Sequence, residues 1–116
     1  MNIQTRIKAE KRITKALIKS IIDLGYIVAV DDGEEYHNTL TASQALNHAM
    51  GVDECHIYAR KPSEKAEGKF KTFAVFLLVY GNDGYDCICD HSVNEETDQI
   101  LLAVNPLIEQ LEQRIA

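Results

Sequence analysis

The first quarter of the chain repeats apolar residues with the period of an α-helix. Four of them recur at intervals of four, four and three residues and so share one helical face: Ile13, Leu17, Ile21 and Leu24. Gly25 follows the last of these and favours a left-handed helix end. The pattern predicts a helix over residues 5–24, with lysines and arginines on its remaining faces.

Four later segments are rich in β-branched, aromatic or alternating apolar residues and are predicted to be strands: 26–30, 55–59, 73–80 and 85–90. Segment 73–80 is apolar on both faces, which predicts the most central strand. Between the last two segments, Gly81, Asn82 and Gly84 favour a tight hairpin turn. The polar segment 61–69 predicts an exposed loop.

Two further helices are indicated by their first residues. Thr41 and Gln44 have the spacing of a capping box, which predicts a short helix that ends at Gly51. Asn94 is followed by acidic residues and is a candidate N-cap for the last helix. Pro106 lacks a backbone donor, so it is expected to kink that helix or to start a second one.

The predicted fold class is α+β, with a single domain over residues 1–116. Its order is α-β-α-β-β-β-α, and an antiparallel sheet of about four strands is packed by the N-terminal and C-terminal helices. The chain has no apolar run of 18 residues, so no membrane contact is expected. Its 3 cysteines are an odd number, which favours a reducing compartment and a cytoplasmic protein.

Charge is segregated along the chain, and the four blocks sum to the net charge of −6. Residues 1–20 carry +5, residues 21–59 carry −7, residues 60–80 carry +3 and residues 81–116 carry −7. Such blocks can form solvated faces, or they can present a field to a partner.

The acidic blocks supply a candidate partner-binding face. Carboxylates along one side of a domain can imitate a phosphate backbone and occupy a basic groove of another protein. The candidate residues are Asp83, Asp86, Asp90, Glu95, Glu96, Asp31, Asp32, Glu34 and Glu35. A solvated acidic face is the default interpretation of these charges.

The basic first helix is a candidate for nucleic-acid contacts through Lys8, Lys11, Arg12, Lys15 and Lys19. Against this, the pI is about 5.1 and no aromatic residues lie between these bases. Internal pairing with the acidic blocks, or solubility, is the favoured explanation of these charges, so direct nucleic-acid binding is not expected.

Cys87, Cys89 and His91 would point to the same side of a strand, and these residue types can bind zinc. That side is predicted to be the core side, and no C-x-x-C spacing is present, so core packing is the favoured interpretation. The four histidines match no catalytic motif. We therefore expect neither an enzyme nor a cofactor.

The stretch Leu-Val-Tyr-Gly-Asn-Asp-Gly-Tyr-Asp at 78–86, with Asp90 and Asn94 beyond it, resembles small uncharacterised proteins of bacteriophages and prophages. Residues 25–35 resemble the same group, and the loop 61–69 is where this chain departs from it. The resemblance implies no chemistry and no functional residues. It implies a small accessory protein of the kind that binds a host machine.

The leading hypothesis is therefore a cytoplasmic phage or prophage accessory protein that binds a host protein or nucleoprotein complex through its acidic face. By analogy, the complex would be a host-defence complex of the CRISPR type, which the protein would inhibit. The alternatives are a nucleic-acid-binding regulator that uses the first helix and a metal-dependent protein with the Cys87, Cys89 and His91 site. Homodimerisation through an edge strand or a helix stripe is left open.

Overall fold

The computed structural model describes residues 3–65, 67–82 and 84–113, apart from the side chains of Thr39 and Leu40. The elements of this part of the chain, in order, are α1 (Ile3–Asp23), β1 (Ile27–Asp31), β2 (Tyr36–Leu40), α2 (Ala42–Met50), β3 (Glu54–Pro62), β4 (Phe70–Val79), β5 (Ile88–His91), α3 (Glu95–Leu101) and α4 (Asn105–Gln113). The protein is thus an α+β domain, as the hydrophobic pattern predicts. None of the described helices is long and apolar enough to cross a membrane.

The strands form one antiparallel sheet in the order β2-β1-β3-β4-β5. The helices pack on one face of it: α1 and α2 contact β1, α2 also contacts β3, and α3 contacts β4. Between the two layers lies a single core cluster, whose largest fully buried side chains include Phe76, Ile13, Leu17, Ile57 and Leu78.

The local signals at the helix ends are confirmed. Gly25 has a φ of +91°, the left-handed conformation that ends α1. The Thr41 hydroxyl accepts from Gln44 N at 3.2 Å, and Gln44 Oε1 accepts from Thr41 N at 3.0 Å, so α2 begins with a capping box. The Asn94 side chain accepts from Thr97 N at 2.7 Å at the start of α3.

The sheet has one strand more than predicted, because residues 36–40 form β2 at its edge. The segment is short and polar, so it lacks the apolar alternation that marks a strand in sequence. Its pairing with β1 comes from the turn at 31–35, where Asp32 N donates to Glu35 O at 3.1 Å. The positive φ of Gly33, 92°, lets the backbone reverse there.

Three other predictions are corrected. The middle strand is β3, not the more apolar β4, since sheet order depends on pairing rather than on hydrophobicity alone. Leu24 is 43% exposed, because it lies beyond the last turn of α1. The last strand begins only at Ile88, and Cys89 on it is exposed.

The C-terminal apolar stripe forms two helices rather than one. The break follows Leu101, and α4 begins at Asn105, directly before Pro106. Proline has no N–H to donate and fits the first turn of a helix. Of the two predicted effects of Pro106, a kink or a new helix, the structure confirms the new helix.

Candidate functional site

The sheet has a second face that none of the described helices covers. Within β3 the buried side chains point toward the helices, and the alternate side chains point the other way: Glu54, His56, Tyr58 and Arg60. The neighbouring strands add Asp31, Val75, Leu77 and Asp90 to the same side through their register. We call this side the open face.

Aromatic and basic groups pack against one another on the open face. The rings of Tyr36 and Tyr58 lie 5.6 Å apart between centroids. The Arg60 guanidinium lies 5.5 Å from the Tyr36 ring and 5.3 Å from the Phe70 ring, and it donates to the Tyr36 hydroxyl. These contacts hold flat, partly exposed side chains in fixed positions on an uncovered sheet.

Six carboxylates gather at the end of the sheet where β1 ends and β3 begins. We call them the acidic end: Asp31, Asp32, Glu34, Glu35, Asp53 and Glu54. Asp32, Asp53 and Glu54 help to line a shallow cleft of about 350 Å³. Asp31 and Glu54 help to line another, of about 420 Å³, that continues onto the open face at His56.

The β1–β2 turn fixes the first of these carboxylates. Asp31 Oδ1 accepts from Gly33 N at 2.9 Å, and Asp32 Oδ1 accepts from Glu34 N at 3.0 Å and Glu35 N at 2.8 Å. The bonds from Glu35 and Glu34, followed by the bond with His37, lower the pKa of Asp32 to about 2.

The acidic end lacks cationic partners among the described residues. No Lys or Arg nitrogen of the described residues lies within 4.0 Å of a carboxylate oxygen of the acidic end. Within the described part of the chain, these groups have ion-pair contacts only with His37, which lies 3.0 Å from Asp32 and 3.9 Å from Glu35. The concentrated negative charge therefore faces solvent.

The other predicted acidic residues lie elsewhere. Across the sheet, Asp90 pairs with Leu77, Leu77 with His56, and His56 with Asp31. Asp90 therefore lies on the open face three strand spacings, or about 14 Å, from Asp31. Asp86 lies near α4, where its N–H donates to Glu112 Oε1 at 3.1 Å, and burial raises the pKa of its carboxyl group. Asp83 lies outside the described residues.

Glu95 and Glu96 lie at the opposite end of the sheet from the β1–β2 turn. Burial, and after it the negative charge of Glu96, raises the pKa of Tyr26, which directly precedes β1. Tyr26 and Asp31 are five residues apart along that strand, or about 17 Å. The acidic residues predicted from sequence thus divide into separate groups, and the acidic end also includes Asp53 and Glu54, which the sequence reasoning missed.

The bases of α1 form one exposed stripe. Their spacing of i, i+3, i+4, i+7 and i+11 places them opposite the buried side of the helix: Lys8, Lys11, Arg12, Lys15 and Lys19. Among them, only Lys19 has an ion pair within the described chain, with Asp23 at 2.5 Å. Internal pairing with the acidic blocks, one of the sequence interpretations, does not account for the other four.

The alternative prediction of a metal site at Cys87, Cys89 and His91 is wrong. Cys87 is buried, whereas Cys89 and His91 are exposed, because the residues before Ile88 do not continue the strand. Among the described residues, three potential metal ligands come within 4.8 Å of one another only at Asp32, His37 and His48. No residue spacing marks this set, since its members come from a turn, a strand and a helix.

A buried polar cluster joins α1 to the sheet. The Thr14 hydroxyl lies 3.2 Å from the Tyr80 hydroxyl and 3.8 Å from Cys87 Sγ, and Tyr80 lies 4.0 Å from Cys55 Sγ. Burial raises the pKa of Cys55 to about 11 and that of Cys87 to about 12, and it raises the pKa of Tyr80 as well. These groups stay protonated, which is the opposite of an activated nucleophile.

No protein-family model, curated protein or solved structure matches this chain. Function must therefore be inferred from the arrangement of its own residues.

Proposed function

We propose that this chain is a non-enzymatic cytoplasmic protein that binds a basic surface of a partner complex through the acidic end and the adjoining open face. The observation that carries the proposal is the group of six carboxylates without a Lys or Arg partner in the described chain. Their mutual repulsion disfavours the isolated fold, and a cationic partner would relieve it.

The neighbouring surface suits a macromolecular partner better than a small molecule. The clefts at the acidic end are shallow and carry three and two carboxylates among their lining residues, whereas small-molecule sites are enclosed and mainly apolar. Next to them, Tyr36, Tyr58 and Arg60 provide the residue types that dominate binding energy at protein interfaces. Carboxylates would steer the encounter, and the aromatic groups would supply contact area.

The resemblance to bacteriophage and prophage proteins supplies the class of partner in this proposal. It makes the partner a host protein or nucleoprotein complex, and we propose a defence complex of the CRISPR type as the first target to test. Such complexes hold nucleic acid in positively charged channels, which an acidic surface can occupy.

A matched pair of triple variants tests the proposal. The test variant carries Glu34→Lys, Asp53→Lys and Glu54→Lys at the acidic end. The control carries Glu64→Lys, Glu67→Lys and Glu109→Lys, which are also exposed. Each replacement adds +2, so both variants move the formal net charge from −6 to 0. The control thus separates the position of the charge from its total.

The measurement is target-DNA binding by a purified, guide-loaded CRISPR effector in the presence of each protein. Wild type and control should inhibit binding, and the acidic-end variant should not. Equal inhibition by all three would remove the acidic end from the mechanism. If wild type does not inhibit, the defence target is wrong, and capture from bacterial lysate with the same variants then tests the acidic end alone.

A third variant tests the remaining predicted acidic residues. It carries Asp90→Lys, Glu95→Lys and Glu96→Lys and again brings the formal net charge to 0. We expect it to retain inhibition, because Glu95 and Glu96 lie at the far end of the sheet and Asp90 lies on the edge strand β5, about 14 Å from Asp31. Loss of inhibition would extend the binding surface across the sheet to β5 and α3.

A second candidate function is nucleic-acid binding through the basic stripe of α1. It is favoured by four exposed bases on one helical face that have no ion pair in the described chain. Phosphate contacts are strongest at low salt, so the test is an electrophoretic mobility shift at low ionic strength. A shift that is lost in Lys8→Glu/Arg12→Glu/Lys15→Glu would support it, and no shift at low salt would eliminate it.

A further inference from the structure

Three potential metal ligands meet where the edge of the sheet contacts α2. Asp32 comes from the β1–β2 turn, His37 from β2 and His48 from the last turn of α2. Asp32 Oδ2 lies 3.0 Å from His37 Nε2. One ligand atom of each side chain lies within 4.8 Å of the others. His37 is in register with Val30, so its ring lies on the helix side of the sheet rather than on the open face.

The backbone holds the carboxylate in place. Asp32 Oδ1 accepts the two turn N–H groups, which leaves Oδ2 directed at His37. The side chains of His37 and Asp32 are only 19% and 18% exposed. A carboxylate and an imidazole are thus fixed side by side at a partly dry position, as the ligands of a protein metal site commonly are.

His48 has no hydrogen bond or ion pair in the described chain. Its ring stacks on His37 with centroids 3.6 Å apart and planes inclined by 15°. An apolar side chain at residue 48 would fill the same space between α2 and β2. Packing therefore accounts for a side chain of this size at residue 48. It does not account for an imidazole whose nitrogens have no hydrogen bond in the described chain.

We propose that Asp32, His37 and His48 bind a first-row divalent transition metal cation, with Zn²⁺ as the representative ion. Two imidazoles and one carboxylate form a ligand set that suits such cations, whereas Mg²⁺ and Ca²⁺ prefer sites made of oxygen ligands. Three protein ligands leave a coordination position for water or for a fourth group. Glu35 Oε2, which lies 3.9 Å from His37 Nε2, is one group that could fill it.

Binding requires a small rearrangement of the rings. A metal lies in the plane of each imidazole that binds it, so two nearly parallel stacked rings cannot share an ion without turning. The χ2 torsion of histidine is broad, and His48 has no hydrogen bond in the described chain that resists its rotation. Metal bonds of about 2.0–2.2 Å also draw the three ligand atoms closer together than 4.8 Å.

The experiment uses untagged, metal-free protein titrated with Zn²⁺ by calorimetry and with Co²⁺ by visible absorption. We expect one ion per chain, Co²⁺ bands of a nitrogen and oxygen ligand set without a thiolate charge-transfer band, and a higher unfolding temperature with Zn²⁺. Loss of a residue that only supports a metal ligand typically lowers metal affinity by roughly 10- to 100-fold. His37→Ala and His48→Ala each remove a direct ligand and should lower the affinity for Zn²⁺ by more than that.

The matched controls are His56→Ala and His91→Ala, which remove exposed histidines outside the cluster. They should bind Zn²⁺ like wild type. Absence of saturable binding up to about 1 mM metal, or equal losses in the control variants, would overturn the proposal. If His37→Ala does not fold, His48→Gln supplies the same test, because it keeps the size of the side chain. The acidic-end variant leaves these three ligands intact, so this result is independent of the partner proposal.

Discussion

The two faces of the sheet are built from alternate residues of the same strands, yet they carry different chemistry. The covered face buries Val28, Ile57, Phe76 and Leu78 completely against the helices. The open face presents His56, Tyr58, Leu77, Arg60 and Asp90 in the same strands, without a covering helix in the described chain.

This difference separates stability from recognition. Apolar burial on the covered face supplies most of the folding free energy, since the hydrophobic effect grows with the apolar area removed from water. The open face contributes little to that burial, so its aromatic and charged residues need another explanation. Exposed aromatic groups beside concentrated charge are typical of a binding surface. Substitutions on each face measure how sharply the two differ.

The largest difference is expected between neighbouring residues of β4. Phe76→Ala removes a fully buried ring and should lower the free energy of unfolding by about 3–5 kcal/mol. Leu77→Ala, on the open face, should cost at most about 1 kcal/mol. Urea denaturation measures both, and Phe76→Leu serves if the alanine variant does not fold. Equal losses would mean that both faces are buried in solution, as in a face-to-face dimer.

The three cysteines provide a second comparison. Cys55 and Cys87 are buried with raised pKa values, whereas Cys89 is exposed. At pH 8 a thiol with a pKa of about 11 is ionised only to about 1 part in 1,000, so these two should react with Ellman's reagent at least about 100-fold more slowly than Cys89. Native protein should release one equivalent rapidly and denatured protein three. In Cys89→Ser the rapid phase should disappear, and a rapid phase that persists there would contradict the assigned burial.

A smaller effect is expected at the N-terminus of α2, one of the helices that pack on the covered face. Thr41→Ala removes the hydroxyl that accepts from Gln44 N and should cost about 1 kcal/mol. Ser43→Ala, two residues later on the exposed side, should change the free energy of unfolding by no more than about 0.5 kcal/mol. Urea denaturation of the two variants separates the capping effect from helix propensity, and equal changes would argue against the cap.

The smallest effect concerns the charge of Asp32, which is partly screened by solvent. Its folded pKa of about 2 lies below the value of about 3.9 for an unfolded aspartate, so its contribution is present above about pH 4 and is lost as the pH falls toward 2. Asp32→Asn keeps an oxygen for the turn N–H groups but has no charge to lose. Wild type should be more stable than this variant at pH 7, and the gap should close toward pH 2. A gap that stays constant with pH would show that the carboxylate charge does not stabilise the turn.

The sequence by itself determined the elements whose signals are local. The period of Ile13, Leu17 and Ile21 fixed α1, and Thr41 with Gln44 fixed the start of α2. Pro106 indicated a kink or a second helix at the C-terminal stripe, because a missing N–H acts within one turn. These signals depend on hydrogen bonds and side-chain directions within about four residues, so a linear pattern records them.

Only the tertiary structure decided the strand order, the open face and the meeting of Asp32, His37 and His48. β2 is too polar to be recognised alone, and it forms because the turn at 31–35 brings it beside β1. His37 and His48 are separated by a strand end and a helix, so their stacked rings leave no mark in the spacing of the sequence. Such features depend on pairing and packing between segments distant along the chain, and composition or periodicity within one segment does not specify which other segment it will meet.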